Sequence, residues 1–151
     1  MFIEGKELVK KYGKGEATVY ALDHTDFSME KSEIVVILGP SGSGKSTLLN
    51  ILGGLDKVTE GSMIVDGKDL EKMSAKELEI YRREKLGFVF QSYNLTPDLT
   101  VRENVEMTAE LVKEPLSVDA LIENLGLTKY EKHFPKELSG GQQQRVAIAR
   151  A

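Results

Sequence analysis

Hydrophobic positions change their spacing several times along the chain, and each change marks an element. Over residues 1–31, Val19 and Ala21, then Phe27 and Met29, recur at alternate positions, which predicts short strands in a small β layer broken at Gly13 and Gly15. Ile34-Val35-Val36-Ile37-Leu38 is a continuous apolar run rich in β-branched residues, followed at once by a glycine-rich turn. It predicts a parallel strand buried on both faces. Over residues 45–52, Leu48, Leu49, Ile51 and Leu52 occupy most of a helix circumference, so a buried helix is expected, stopped by Gly53-Gly54.

Further on, Ser62-Met63-Ile64-Val65 before Asp66-Gly67 predicts a strand entering a hairpin turn. Ser74 with Glu77, and Thr100 with Glu103, are capping-box pairs that open helices. The first helix is expected to end before Gly87. The second carries Val101, Val105, Ala109 and Val112 on one face until Pro115 forbids continuation. Gly87-Phe88-Val89-Phe90 predicts a short strand ending at Gln91, and residues 117–125 a short helix stopped by Gly126. A last helix follows Leu138-Ser139-Gly140-Gly141-Gln142 and reaches Ala151. The reading is one unit, with a β layer and loop-bearing core over residues 1–90 and a helical part over 91–151.

Composition narrows the function classes. The chain has 151 residues, 40% of them hydrophobic, which is enough for one substantial core and argues against disorder. Acidic residues outnumber basic ones, 24 to 20, giving a net charge of −4. That balance disfavours a nucleic-acid partner, and Arg82, Arg83 and Lys85 beside Glu77, Glu79 and Glu84 read as a solvated helix face. Apolar runs reach only about five residues, far below the ~20 of a membrane-spanning helix, so no direct membrane insertion is expected. The N-terminal stretch has no signal-like apolar core, and cytoplasmic residence is the expectation. With no cysteine and only His24 and His133, metal chemistry is expected to use oxygen ligands.

Gly39-Pro40-Ser41-Gly42-Ser43-Gly44-Lys45-Ser46 matches G-x-x-x-x-G-K-[ST] in full, between an expected strand and an expected helix. Glycines let the backbone curl so that successive N–H groups face phosphate oxygens, and the helix start adds the positive end of its dipole. Lys45 supplies a point charge for β and γ phosphates, and the Ser46 hydroxyl can ligate Mg²⁺, with Thr47 beside it. Leu138-Ser139-Gly140-Gly141-Gln142 reads by itself as a serine N-cap with glycines easing the turn into a helix, and the same serine hydroxyl and unpaired N–H groups also suit an anion.

With the phosphate loop, Gln91 and the Leu138–Gln142 motif in order, the chain resembles the ATP-binding subunit of ABC transporters from Phe2 onward. The stretches Gly87–Leu95 and Ser139–Ala151 resemble its lipoprotein-releasing and macrolide-efflux branch. The resemblance implies an α/β P-loop NTPase domain of ABC type, with an N-terminal antiparallel β layer and a helical signature subdomain. It implies ATP and Mg²⁺ as ligands, Tyr12 as the aromatic stacking on adenine with Tyr20 as competitor, and Gln91 reaching Mg²⁺ and the attacking water. The segment after Gln91 would touch transmembrane transporter subunits, holding the protein at the inner face of the membrane. A second ATP-binding subunit would pair head to tail, each phosphate loop facing the partner's signature.

The family pattern continues past the signature helix to an apolar strand ending in Asp, then Glu, and later a histidine loop. These 151 residues do not contain it. Met63-Ile64-Val65-Asp66 imitates the strand but leads into Gly67 and a turn, so Asp66 is not taken as a metal ligand. A chain lacking part of the core, poor at hydrolysis alone and prone to self-association, is therefore expected. Ser32 stands where the family usually has glycine. Two other classes share these motifs: a nucleotide-dependent dimerisation module without turnover, and a repair or chromosome-maintenance ATPase. The second is disfavoured by the short spacing from Lys45 to Ser139 and the acidic charge.

Overall fold

β1 (Ile3–Tyr12) and β2 (Val19–Met29) form an antiparallel hairpin in the computed structural model, which describes residues 1–151. Ile3 faces Met29 and Tyr12 faces Val19 across it. β3 (Glu60–Val65) lies antiparallel on the other side of β1, and β4 (Lys68–Asp69) returns from it through the expected Asp66-Gly67 turn. The sheet order is β2-β1-β3-β4.

The strict alternation of β1 breaks at a bulge. Glu7 and His24 both take positive φ, 49° and 42°. The register slips there, so that Leu8 and Val9 are both buried although they are adjacent. On the β3 side, Gly61 has φ 93°, and a side chain on it would lie 2.3 Å from the Glu7 carbonyl. Only glycine allows β3 to approach the bulge so closely.

α1 (Lys45–Leu52) and α2 (Ala75–Lys85) bury Leu48, Ile51, Leu78 and Tyr81. The Tyr81 hydroxyl donates to the Leu52 carbonyl at 2.8 Å, and Arg82 Nη1 donates to the Gly54 carbonyl at 2.8 Å, so α2 also closes the end of α1. Ser74 and Glu77 form the expected capping pair. α1 is less buried than its composition suggests, since Leu49 is 47% exposed.

Two expected strands are absent. Residues 34–38 form no strand, and Ile34 and Leu38 are 93% and 86% exposed. Residues 87–90 are likewise irregular, with Phe88 and Phe90 stacked on each other at 5.4 Å. An apolar run becomes a strand only when another strand takes its N–H and C=O groups, and no segment of this chain pairs with either run.

The chain divides into two compact units, Met1–Arg82 and Arg83–Ala151. In the second, α3 (Val101–Ala109), α4 (Val118–Asn124) and α5 (Gly140–Arg150) surround Val101, Val105, Ile122, Leu127, Leu138, Val146 and Ala149. α3 ends at Ala109, earlier than expected, and Val112 lies in the turn beyond it. Asn104, fully buried, accepts from the Thr96 N–H and donates to the Thr96, Leu99 and Thr100 carbonyls, fastening the loop before α3 to the helix. Arg102 on the outer face donates to Glu106, Asp119 and Glu131, and these contacts, led by Glu131, raise its pKa above the ordinary arginine value. An antiparallel β layer and a helical unit carrying residues 139–142 are both as the sequence implies.

Candidate nucleotide site

The loop Gly39–Gly44 runs directly into α1. Gly44 is the residue before the helix, at φ 69°, and makes no side-chain cap. A methyl group there would lie 1.8 Å from the Ala21 carbonyl of β2, so glycine is required by both backbone and space. Gly42 is also in the left-handed region, at φ 79°, and the Ser43 N–H donates to the Pro40 carbonyl at 3.3 Å.

The N–H groups of Lys45, Ser46 and Thr47 have no partner inside the helix by its geometry. With no side-chain cap at Gly44, they remain available to an anion. Lys45 folds back over the loop, its Nζ donating to the Gly39 and Pro40 carbonyls at 3.0 Å each. A phosphate group entering the loop would replace these carbonyls as partners of the ammonium group. The exposed Ser46 hydroxyl makes no hydrogen bond within the chain. No three His, Asp or Glu side chains gather as a metal-ligating cluster.

Tyr12 ends β1, 45% exposed. Its hydroxyl donates to Asp56 Oδ2 at 2.7 Å, and Lys10 Nζ lies over its ring, 5.1 Å from the centroid. The hydrogen bond to Asp56, helped by burial, raises the Tyr12 phenol above its ordinary pKa, while the Thr47 side chain, from the first turn of α1, acts on the same hydroxyl in the opposite sense. Burial acts to raise the Asp56 carboxyl, but its bonds from Lys10, Tyr12 and the Lys57 N–H outweigh burial and hold it below the ordinary value. Tyr20, 53% exposed, has Lys11 Nζ over its ring at 5.1 Å.

Gln91 and residues 139–142 belong to the second unit. Gln91 is exposed, in a turn. Beyond it Tyr93 and Asn94 both have positive φ, 59° and 48°. Their carbonyls accept from Arg150 Nη2 and Nη1 at 2.8 and 2.5 Å.

Ser139 caps α5 as the sequence suggests. Its Oγ accepts from the Gln142 N–H at 3.3 Å, and Gln142 Oε1 accepts from the Ser139 N–H at 2.7 Å. The Ser139 hydroxyl proton is left without an acceptor in the chain. Gly140 and Gly141 face open space, with nothing within 4 Å of where a side chain would stand. No packing inside the chain calls for glycine at either position.

Sequence reasoning named the loop, Tyr12, Gln91 and the signature, but not Lys10, Asp56 or Arg150. Nothing in the local pattern marks these three, because each acts on a partner more than 40 positions away.

A glycine-rich loop that curls on left-handed glycines into an uncapped helix, with a lysine folded over it, defines a P-loop nucleotide-binding module. The sequence profile of the ABC transporter family matches residues 22–151, and the chain belongs to that family.

Among its relatives, the macrolide export ATP-binding/permease protein MacB of Neisseria gonorrhoeae is 47% identical over 154 residues, covering 99% of this chain and 24% of that protein. A putative ABC transporter ATP-binding protein of Mycoplasma genitalium, MG065, is 46% identical over 152 residues, covering 99% of this chain and 33% of its own length. The chain thus spans about a quarter of the first relative's length and about a third of the second's. Among solved structures, the dimeric ATP-binding cassette MJ0796 bound to ADP and Pi superposes with a TM-score of 0.88 at 43% identity, over 98% of this chain and 68% of that one. No helix here is long and apolar enough to cross a membrane.

Proposed function

We propose that the chain binds MgATP at Gly39–Thr47 and that, in the complete protein, hydrolysis of this ATP drives transport through transmembrane partner subunits. One observation carries the reading: the uncapped start of α1 with Lys45 folded over the loop carbonyls, a cradle whose only cation bonds to the loop itself. The N–H groups of residues 45–47 receive phosphate oxygens, Lys45 meets the β and γ phosphates, and Ser46 holds the metal. Mg²⁺, when bound, neutralises the charge that develops on the phosphate oxygens. Tyr12 supplies the face for adenine. Gln91 supplies the amide that reaches metal and water in the complete ATPase.

The signature serves the nucleotide of a second ATP-binding subunit. Two glycines open α5 with no internal packing reason, although glycine is a poorer helix former than alanine. Their bareness suits close approach of a partner, and the free Ser139 proton suits a phosphate oxygen.

The reading is tested by calorimetric titration of MgATP into the 151-residue chain and into Lys45→Ala. Binding by the parent chain that the variant loses supports it; absence of binding by the parent chain overturns it for these residues. A second test uses the full-length protein. Ser139→Arg is expected to abolish ATP-driven dimerisation while leaving nucleotide binding by the monomer nearly intact, and equal loss of both would remove Ser139 from the partner's site.

A further inference from the structure

Tyr12 is held more elaborately than a loop aromatic needs to be. Lys10 and Tyr12 lie two positions apart on β1, so both project from the same face of the strand. Lys10 covers the tyrosine ring and donates to Asp56 Oδ1 at 2.5 Å and to the Lys57 carbonyl at 2.7 Å, with its own side chain only 12% exposed. The other oxygen of the same carboxylate takes the tyrosine hydroxyl. Asp56 is itself fixed, because its N–H and that of Leu55 both donate to the Asn50 carbonyl of α1, at 3.2 and 2.8 Å. The helix that begins at the phosphate loop therefore ends in the turn that grips the tyrosine.

We infer that Asp56, with Lys10, is a positioning residue that fixes the Tyr12 ring as a platform for the purine base of a nucleotide whose phosphates lie in the Gly39–Thr47 loop. The inference rests on the nucleotide reading above. The hydroxyl tether keeps the side chain from swinging out of place, and the Lys10 ammonium packed over one face opposes turning of the ring about its own axis while leaving the remaining exposed surface for a flat base. Stacking of a base on an aromatic ring is sequence-tolerant and is lost when the ring turns edge-on. Tyr20 has the cation but not the carboxylate grip, since its neighbour Lys11 donates to Glu60 of β3 instead.

The test separates base from phosphate. MgATP and magnesium tripolyphosphate are titrated calorimetrically into the 151-residue chain and its variants, and the ratio of the two affinities is the readout. The parent chain is expected to prefer ATP by about tenfold or more, the range of one base–aromatic stack. Asp56→Ala is expected to remove most of that preference while tripolyphosphate binding changes less than about twofold. Asp56→Asn, which keeps an acceptor for the hydroxyl, restores part of it, and Tyr12→Phe, which keeps the ring and the Lys10–Asp56 pair, lowers it as Asp56→Ala does. An unchanged ratio in Asp56→Ala and Tyr12→Phe overturns the inference. So does equal weakening of both ligands in a folded variant, which assigns Asp56 to stability alone. Failure of the parent chain to bind either ligand overturns the nucleotide reading itself. A parent chain that binds both ligands equally removes only the platform.

Discussion

Single residues with unusual backbone conformations are where the sequence meets its tightest limits. Ser32, which stands where the family usually has glycine, sits at φ 65°, in a turn held by the Glu33 side chain accepting from the Glu30 N–H at 2.8 Å. A left-handed L-residue costs more than glycine's extra chain entropy, so Ser32→Gly is expected to stabilise the chain by about 0.5 kcal/mol. A rise in the urea midpoint checks this, and the phosphate loop should bind as before. Gly44 is the opposite case: its substitution by alanine forces a clash with the Ala21 carbonyl. These positions are legible in different degrees. Gly44 is announced by the motif, whereas the strain at Ser32 is visible only through comparison with a glycine expected there, and the grip of Asp56 on Tyr12 is not visible in sequence at all.

Elements divide according to whether their hydrogen bonds are internal. Helices opened by capping pairs appear where the sequence puts them, since Thr100 and Glu103, Ser74 and Glu77, and Ser139 and Gln142 each satisfy N–H groups three positions away. The runs Ile34–Leu38 and Gly87–Phe90 have comparable local signals yet form no strand, because the partner a strand requires is a distant segment and leaves no mark on the run itself.

Thr100→Ala, which removes one such cap, is expected to cost about 1 kcal/mol, read from chemical denaturation. Acid should act on the same devices. Bonds from Thr100 hold Glu103, and bonds from Ser74 hold Glu77, below the ordinary glutamate value of 4.5. A carboxyl lowered in the folded state contributes stability above its unfolded pKa and loses it as pH falls through the folded one. The urea midpoint should therefore decline on acidification below about pH 5, with a shallower decline in Glu103→Gln, because that residue no longer titrates. An equal slope in the variant would deny the cap its share. At α5, Gly141→Ala is expected to raise helix stability by a few tenths of a kcal/mol while impairing the ATP-driven pairing proposed above. That opposition of stability and assembly, read by melting and light scattering, is the mark of a glycine kept for a partner.

At the scale of the whole chain, the most exposed apolar feature is Ile34–Leu38, an unpaired run with Val36 also 73% exposed. Unsatisfied backbone beside exposed apolar side chains is a template for strand addition. The 151-residue chain is expected to associate with itself through this run, and Val36→Lys to shift it toward monomer in light scattering. A parent chain that stays monomeric at high concentration would argue against the contact.

Within the second unit, the hold of Arg150 on the Tyr93 and Asn94 carbonyls has a consequence for how forces travel. The Arg150 carbonyl in turn accepts from the Thr108 hydroxyl of α3 at 2.8 Å. Two left-handed residues after Gln91 are kept in place by the last turn of the helix that Ser139 begins, so loop and helix share one latch. Any binding partner that favours one arrangement of that loop must bias the helix by the same free energy, and anything that seats the helix must bias the loop in return. A message carried by such a latch has no preferred direction.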